Sequence, residues 1–302
     1  MDGLLRSAHV LNVDVLKHLL ETRLIGSGDR LFYLPATDST NLQAMQMARH
    51  GAEEGLVVLT DNQTAGKGRQ GRRWVDVPGR NVLSSTLLRP RFSPHWLVMI
   101  ASLAVVEAIA EVCGVTATIK WPNDVLIEER KVAGILIETS HDREGALVAV
   151  IGIGINVNEH IGEVAKQIGD AALVANATTL ETACGHPVAR EALIARLLLH
   201  IEKDYLLLQQ EADRESSGAA IEEAPREVRE VREVRTAQSQ LPSSRLIRER
   251  WRSQLSTLGR AILVRQGDTV ISGVAVDVND NGELLLRRHS GDLVHITWGS
   301  IE

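Results

Sequence analysis

Residues 66–74 read GKGRQGRRW, in which Gly66, Gly68 and Gly71 alternate with four cations, Lys67, Arg69, Arg72 and Arg73. Glycines at this spacing satisfy the letters of the dinucleotide fingerprint, but that motif opens a helix and meets an acid about 20 residues on. Here Pro78 and Gly79 break any helix, and the corresponding position falls among Arg89 and Arg91. A kinase loop carries valine two places after its last glycine, where this chain has Arg73, and the Gly-Lys-Ser/Thr of a P-loop is missing. What the stretch offers is an anion clamp, with glycines that let backbone amides approach a ligand and cations that attract it. Taken alone it reads equally as a solvated basic turn between two strands.

Four further stretches carry candidate chemistry. In KWPNDV, residues 120–125, Pro122 drives Trp121 toward extended backbone and presents Lys120, Asn123 and Asp124 at a turn between strands; Asp124 is also an ordinary turn former. Lys131 begins a strand in KVAGIL, where a lysine usually faces solvent, and Gly134 permits close backbone approach. In DSTN, Ser39 and Thr40 stand where a helix starts and serve as caps, as ligand hydroxyls, or as both. Asn156 follows Gly152 and Gly154 in GIGINVN, a ligand contact or a structural bulge. Gln63 reads as a loop residue or an amide for a ligand, and Trp74 as core packing or the wall of a slot.

These residues need a scaffold, and the chain is long enough for about two domains. Its 302 residues are 44% hydrophobic, with net charge −6 and pI near 6.0. An acidic chain is no generic nucleic-acid binder held by phosphate contacts. Cys113 and Cys184 are the only cysteines and lack metal-ligand or disulfide-framework spacing, so a reducing cytosol is the expected compartment. The start, MDGLLRSAHV, has no apolar core of signal-peptide length, and no later run is expected to reach the length of a membrane helix.

Apolar spacing predicts one amphipathic helix over residues 10–25, stopped by Gly26, and a helix over TDSTNLQAMQMARHG, with Asp38, Ser39 or Thr40 able to cap it and Gly51 ending it. LVVLT and NVLSSTLLRP read as strands, and WLVMIASLAVVEAIAEVCG as a long buried helix. TATI, a hairpin over DVLIEERKVAGILIETS turning near Glu129 and Arg130, and GALVAVIGIGINVN complete a meander. Between 211 and 245 Ser, Gly, Pro and charge replace core residues, and REVREVREV repeats with a period that suits neither a helix stripe nor strand alternation; a mobile insertion is expected, with a charged helix as the alternative. From Leu258 short strands broken by QGD, NDNG and SGD predict a small barrel of hairpins.

DSTN, QTAGKGRQGRRW, KWPNDV, KVAGIL and GIGINVN, in that order, closely resemble the catalytic domain of biotin protein ligases over roughly residues 30–205, and the terminal hairpins resemble that family's SH3-like barrel. The resemblance implies an α/β (α+β) fold: a mixed, largely antiparallel sheet with flanking helices, as in class II aminoacyl-tRNA synthetases, plus the barrel. It divides the chain into an N-terminal helical segment (1–29), a catalytic domain (30–210), the charged insertion (211–245), and a linker helix with the barrel (246–302).

The implied reaction joins biotin to ATP as biotinoyl-5′-adenylate, releasing pyrophosphate, then biotinylates one lysine of a biotin carboxyl carrier protein or domain of a biotin-dependent carboxylase such as acetyl-CoA carboxylase. By the same resemblance, Arg69, Lys131, Lys120 and Asp124 carry the chemistry, with Asp124 the one candidate for approaching Mg²⁺ or orienting the incoming amine. Biotin falls to Ser39, Thr40, Asn41, Gln63, Gly66, Lys67, Gly68, Arg69, Trp74, Lys131 and Gly134. ATP or adenylate falls to Arg69, Arg72, Lys120, Asn123, Asp124, Lys131 and Asn156. Many relatives have arginine where Lys67 stands, so its side-chain role departs from the pattern. A lipoate or octanoate ligase of the same superfamily is the rival enzyme, although the paired GKGRQGR and KWPND motifs favour biotin. A DNA-binding repressor is not expected, because the residues before LFYLPATDSTN are too few for the winged helix of bifunctional relatives, and an RNA-binding patch lacks interleaved aromatics. A homodimer is left open, a membrane role is not expected, and the expected location is cytoplasmic.

Overall fold

The computed structural model describes residues 10–142, 144–217 and 242–301. Its helices are α1 (Val13–Leu19), α2 (Thr40–Arg49), α3 (His95–Cys113), α4 (Ile161–Ile168), α5 (Leu173–Asn176), α6 (Leu180–Cys184), α7 (Arg190–Ser216) and α8 (Ser243–Ser253). One sheet holds β1 (Leu31–Leu34), β2 (Val57–Thr60), β3 (Val82–Leu88), β4 (Thr118–Lys120), β5 (Asp124–Ile127), β6 (Arg130–His141) and β7 (Leu147–Ile155), in the order β1-β2-β3-β7-β6-β5-β4. Only β1 and β2 run parallel; the other neighbours are antiparallel, as expected. The second sheet holds β8 (Ala261–Gln266), β9 (Thr269–Val278), β10 (Leu284–Arg287), β11 (Leu293–Ile296) and β12 (Ser300–Ile301), all antiparallel, in the order β11-β10-β9-β8-β12.

Side-chain alternation along the strands divides the first sheet into two faces. Val57, Leu59, Ala149, Ile151, Ile153 and Ile155 join α3 and α7 in the main core. Leu56, Val58, Leu87, Val148 and Val150 pack against Ala44, Met45 and Ala48 of α2 on the opposite face. The second sheet shares the main core through Val264, Leu284, Leu286 and Ile296, with Trp251 of α8 buried between.

Several local expectations need correcting. The first helix covers only Val13–Leu19: Asn12 caps it, Leu20 turns extended, and Glu202 of α7 then accepts the amides of Arg23, Leu24 and Ile25. A distant carboxylate thus takes the backbone groups that further helix would have used. The β5–β6 hairpin turns one residue earlier than predicted, at Glu128 and Glu129, both left-handed. Helix α3 has 19 residues and a mean hydropathy of 2.0, long and apolar enough to cross a membrane, contrary to the expectation; Leu97, Ile100, Leu103 and Ile109 instead fill the core. The ends of the 211–245 segment are helical: α7 continues to Ser216, and the Ser244 amide bonds Glu211 at 2.9 Å. Its residues 218–241, including the REVREVREV repeat, lie outside the described residues.

Candidate active site

The site lies on the α2 face, where β7 changes from valine to glycine. Val148 and Val150 pack under α2, and the next two positions on that face are Gly152 and Gly154. A Cβ on Gly152 would stand 2.2 Å from Asn41 Oδ1, and one on Gly154 2.6 Å from the Trp74 ring. The sequence IGIGI therefore buries isoleucines on one face and reserves space on the other.

Polar groups line that space in a connected set. Gln63 Oε1 accepts from the Thr40 amide at 2.9 Å and from Thr40 Oγ1 at 3.2 Å. Gln63 thus takes the first amide of α2, where Asp38, Ser39 or Thr40 was expected to accept; Asp38 Oδ1 accepts from the Ser39 amide at 2.7 Å, and the Ser39 side chain makes no capping bond. Ser85 Oγ reaches Thr40 Oγ1 at 2.7 Å and Asn41 Oδ1 at 2.6 Å, and Asn41 Nδ2 donates to Glu138 at 2.7 Å. Ser85, Glu138 and the cavity-lining Ser84 were not singled out in the sequence, although paired serines inside an apolar strand are a signal of a polar patch. The indole N–H of Trp74 is buried without an acceptor among the described residues.

The glycine-rich stretch closes over this cavity as a small hairpin. Trp74 N bonds Gly66 O at 3.0 Å, Lys67 bridges Arg73, and Gly68 N bonds Arg72 O at 2.7 Å. Gln70 and Gly71 turn the tip with φ of 57° and 74°. A side chain on Gly66 would strike the Trp74 carbonyl at 2.6 Å, so the close pairing requires glycine there. From the hairpin Arg69 Nη1 reaches across to Asn123 Oδ1 at 2.8 Å. Burial lowers the Arg69 pKa, partly offset by the charge of Asp124.

Two cavities meet under the hairpin. The first is lined by Ser39, Thr40, Asn41, Gln63, Lys67, Gly68, Arg69, Trp74, Asn123, Lys131 and Gly134, with Gly152 and Gly154 at its floor. The second is lined by Gly68, Arg69, Gln70, Arg72, Arg73, Trp74, Lys120, Asn123, Asp124 and Lys131, with Gly299, Ser300 and Ile301. Lys131 Nζ lies 2.6 Å from Asp124 Oδ1 and 5.9 Å from the Trp74 ring centre. Gly66 stands at the root of the hairpin. Asn156 lines neither cavity: its amide donates to Thr178 O at 3.1 Å and its backbone N–H to Val132 O. The Lys131 carbonyl accepts from Thr178 N at 2.9 Å, so this loop supports the strand that carries Lys131. No group of three or more His, Cys, Asp or Glu side chains fit to hold a metal occurs among the described residues, and the Asp124 carboxylate is already against an ammonium.

Residues 33–156 match the biotin/lipoate A/B protein ligase family, and residues 257–302 match the biotin protein ligase C-terminal domain. A biotin–[acetyl-CoA-carboxylase] ligase of Paracoccus denitrificans is 31% identical over 263 residues, 85% of this chain and 94% of that protein. The chain belongs to the biotin protein ligase family. The bifunctional ligase/repressor BirA of Bacillus subtilis (strain 168) is 38% identical over 182 residues, 59% of this chain and 54% of that protein, so the chain matches about half the length of that relative. The fold agrees with that of the Aquifex aeolicus biotin protein ligase solved with biotin and ATP, with a TM-score of 0.67 at 24% identity over 91% of this chain and 98% of the other. This shared fold is the expected one, a mixed sheet with flanking helices and a C-terminal antiparallel sheet.

Proposed function

We propose that this biotin protein ligase family member activates biotin with ATP as biotinoyl-5′-adenylate and transfers the biotinoyl group to one lysine of a carboxylase's biotin carboxyl carrier protein or domain, in the cytoplasm. The observation that carries this reading is the meeting of two unlike cavities at Arg69, Asn123 and Lys131. A neutral ureido ring suits the first, with its amide and hydroxyl groups beside Trp74 and backbone glycines. A chain of phosphates suits the second, walled by Arg69, Arg72, Arg73, Lys120 and Lys131.

In the first step a carboxylate oxygen of biotin attacks the α-phosphorus, and the bond to pyrophosphate breaks. Two anions must approach each other, so fixed cations that need no rearrangement lower the barrier. In this reading Lys131, on a strand, and Arg69, bonded to Asn123, supply those cations, with Lys120 on the adjoining wall. In the second step an uncharged lysine amine attacks the acyl carbon and AMP leaves. Asp124 is the carboxylate on that wall that orients the amine and accepts its proton. Mg²⁺ held with the triphosphate would offset its negative charge, and Asp124 is the carboxylate of this wall that would approach it.

Biotin-dependent exchange of pyrophosphate into ATP by the purified protein tests the reading. Exchange supported by lipoate and not by biotin would overturn the substrate assignment.

A further inference from the structure

The phosphate-side cavity has a wall that neither the hairpin nor the first sheet supplies. Ser300 of β12 donates from Oγ to Gln70 Oε1 at 2.9 Å and accepts from Arg72 Nη2 at 3.1 Å. Gln70 and Arg72 lie at the hairpin tip, so one hydroxyl ties both residues to the C-terminal sheet. Gln70 makes its contact from left-handed backbone, φ 57°, a conformation side chains disfavour and surroundings must hold in place. The approach to Ser300 is equally constrained: Gly299 has φ 148°, and a Cβ there would lie 2.6 Å from Val264.

The C-terminal sheet that holds β12 is tied to the turn that carries Lys120. Trp121 Nε1 donates to Gly282 O at 2.9 Å and Trp121 N to Thr257 Oγ1 at 3.0 Å, while Ile119 exchanges backbone bonds with Gln254 and Ser256. Lys120, Asn123 and Asp124 on one side of the cavity and Ser300 on the other are therefore referenced to the same segment. Arg72 has no carboxylate partner among the described residues, so the neutral hydroxyl holds its guanidinium without neutralising it. These bonds are solvent-exposed, and an exposed hydrogen bond contributes little to global stability but suits a catch that must open for a ligand and re-form.

We infer that Ser300 is a positioning residue for adenylation: its hydroxyl holds the hairpin tip over the phosphate-side cavity, keeping Arg69 on Asn123 and Arg72 at the wall. The inference rests on the ligase reading, and its test has an arm that does not. Ser300→Ala, Ser300→Thr, Gln70→Ala and the Ser300→Ala/Gln70→Ala pair would be compared with the unaltered chain. The first readout is the rate of tryptic cleavage after Lys67, Arg69, Arg72 or Arg73 in the ligand-free protein. The second is the split between KM for ATP and kcat in biotin-dependent exchange.

Ser300→Ala is expected to speed cleavage and raise KM for ATP, each about fivefold, the factor that goes with one hydrogen bond, while kcat and melting temperature change little. Ser300→Thr, which keeps the hydroxyl, restores both values, and the double variant is no worse than Ser300→Ala alone. Unchanged cleavage in Ser300→Ala, additive single effects, or a lowered melting temperature without rescue by threonine would each overturn the inference. Absence of exchange in the unaltered chain would count against the ligase reading, and the cleavage arm would then decide the catch by itself.

Discussion

Lys131 and Asp124 face each other across the β5–β6 hairpin, ammonium to carboxylate at 2.6 Å, on the wall shared by nucleotide and acceptor amine in the proposed reaction. The pair is part-exposed, so its attraction adds little to stability and its value lies in where it holds the two groups. Lys131→Ala is expected to slow adenylate formation by about 10²-fold or more, the scale of removing one preorganised donor to developing charge. Asp124→Asn should leave that step faster than the lysine variant does and slow transfer to the carrier lysine. Single-turnover rates of the two half-reactions decide, and equal damage to both steps by both variants would refute the division of labour.

Arg69 reaches the site from a hairpin, where Lys131 stands on a sheet strand. Arg69→Gly should therefore still make biotinoyl-adenylate but release it, labelling lysines of bystander proteins added to the reaction. Bystander labelling by Lys131→Ala, with none by Arg69→Gly, would reverse the two roles.

Gly152 and Gly154 reserve the floor of the first cavity. Gly152→Ala forces Asn41 from its bonds to Ser85 and Glu138, and overpacking of this kind costs about 1–3 kcal/mol, roughly 5- to 150-fold in biotin affinity if borne by the site. Titration calorimetry with biotin measures it. Undiminished affinity would show that this face of β7 is not the biotin floor.

Behind Gln63, Asp76 and Glu159 are buried, at 7% and 3% exposure. Burial pushes Asp76 up to about 6; it pushes Glu159 up to about 7, with the Asp76 charge adding to it against bonds from Asn81 and Val77. A carboxyl whose folded pKa is raised holds its proton more tightly when folded. The stability Glu159 contributes is therefore complete below its ordinary 4.5 and lost as pH climbs through about 7. Glu159→Gln should remove that loss, gaining on the unaltered chain across this window by on the order of 3 kcal/mol at most. Melting curves at several pH values test it; a difference independent of pH would rule out Glu159 as the titrating group.

Periodicity and turn chemistry placed most strands, helix α3 and the terminal hairpins, because those signals are local. The clamp stretch and KWPNDV do come together, through Arg69 and Asn123, 54 positions apart. Long-range partners had no local signature. Glu202 ends the first helical segment from more than 170 positions away, and Gln63 takes the Thr40 amide at the start of α2 from another loop. Asn156 looked like a ligand contact because polar residues after glycines often are, yet Thr178 takes its amide. The IGIGI alternation was visible, but its meaning depends on knowing that α2 covers only part of that face.

Ser300 follows every other residue of the phosphate-side cavity except Ile301 in chain order. Because ribosomes add residues from the amino end, the proposed biotin slot and the cations of the cavity are synthesised before Ser300 of the wall. Until Ser300 is added, that wall lacks the hydroxyl that ties Gln70 and Arg72 to the C-terminal sheet. The order of translation thus sets the catch after every cation that it holds in place.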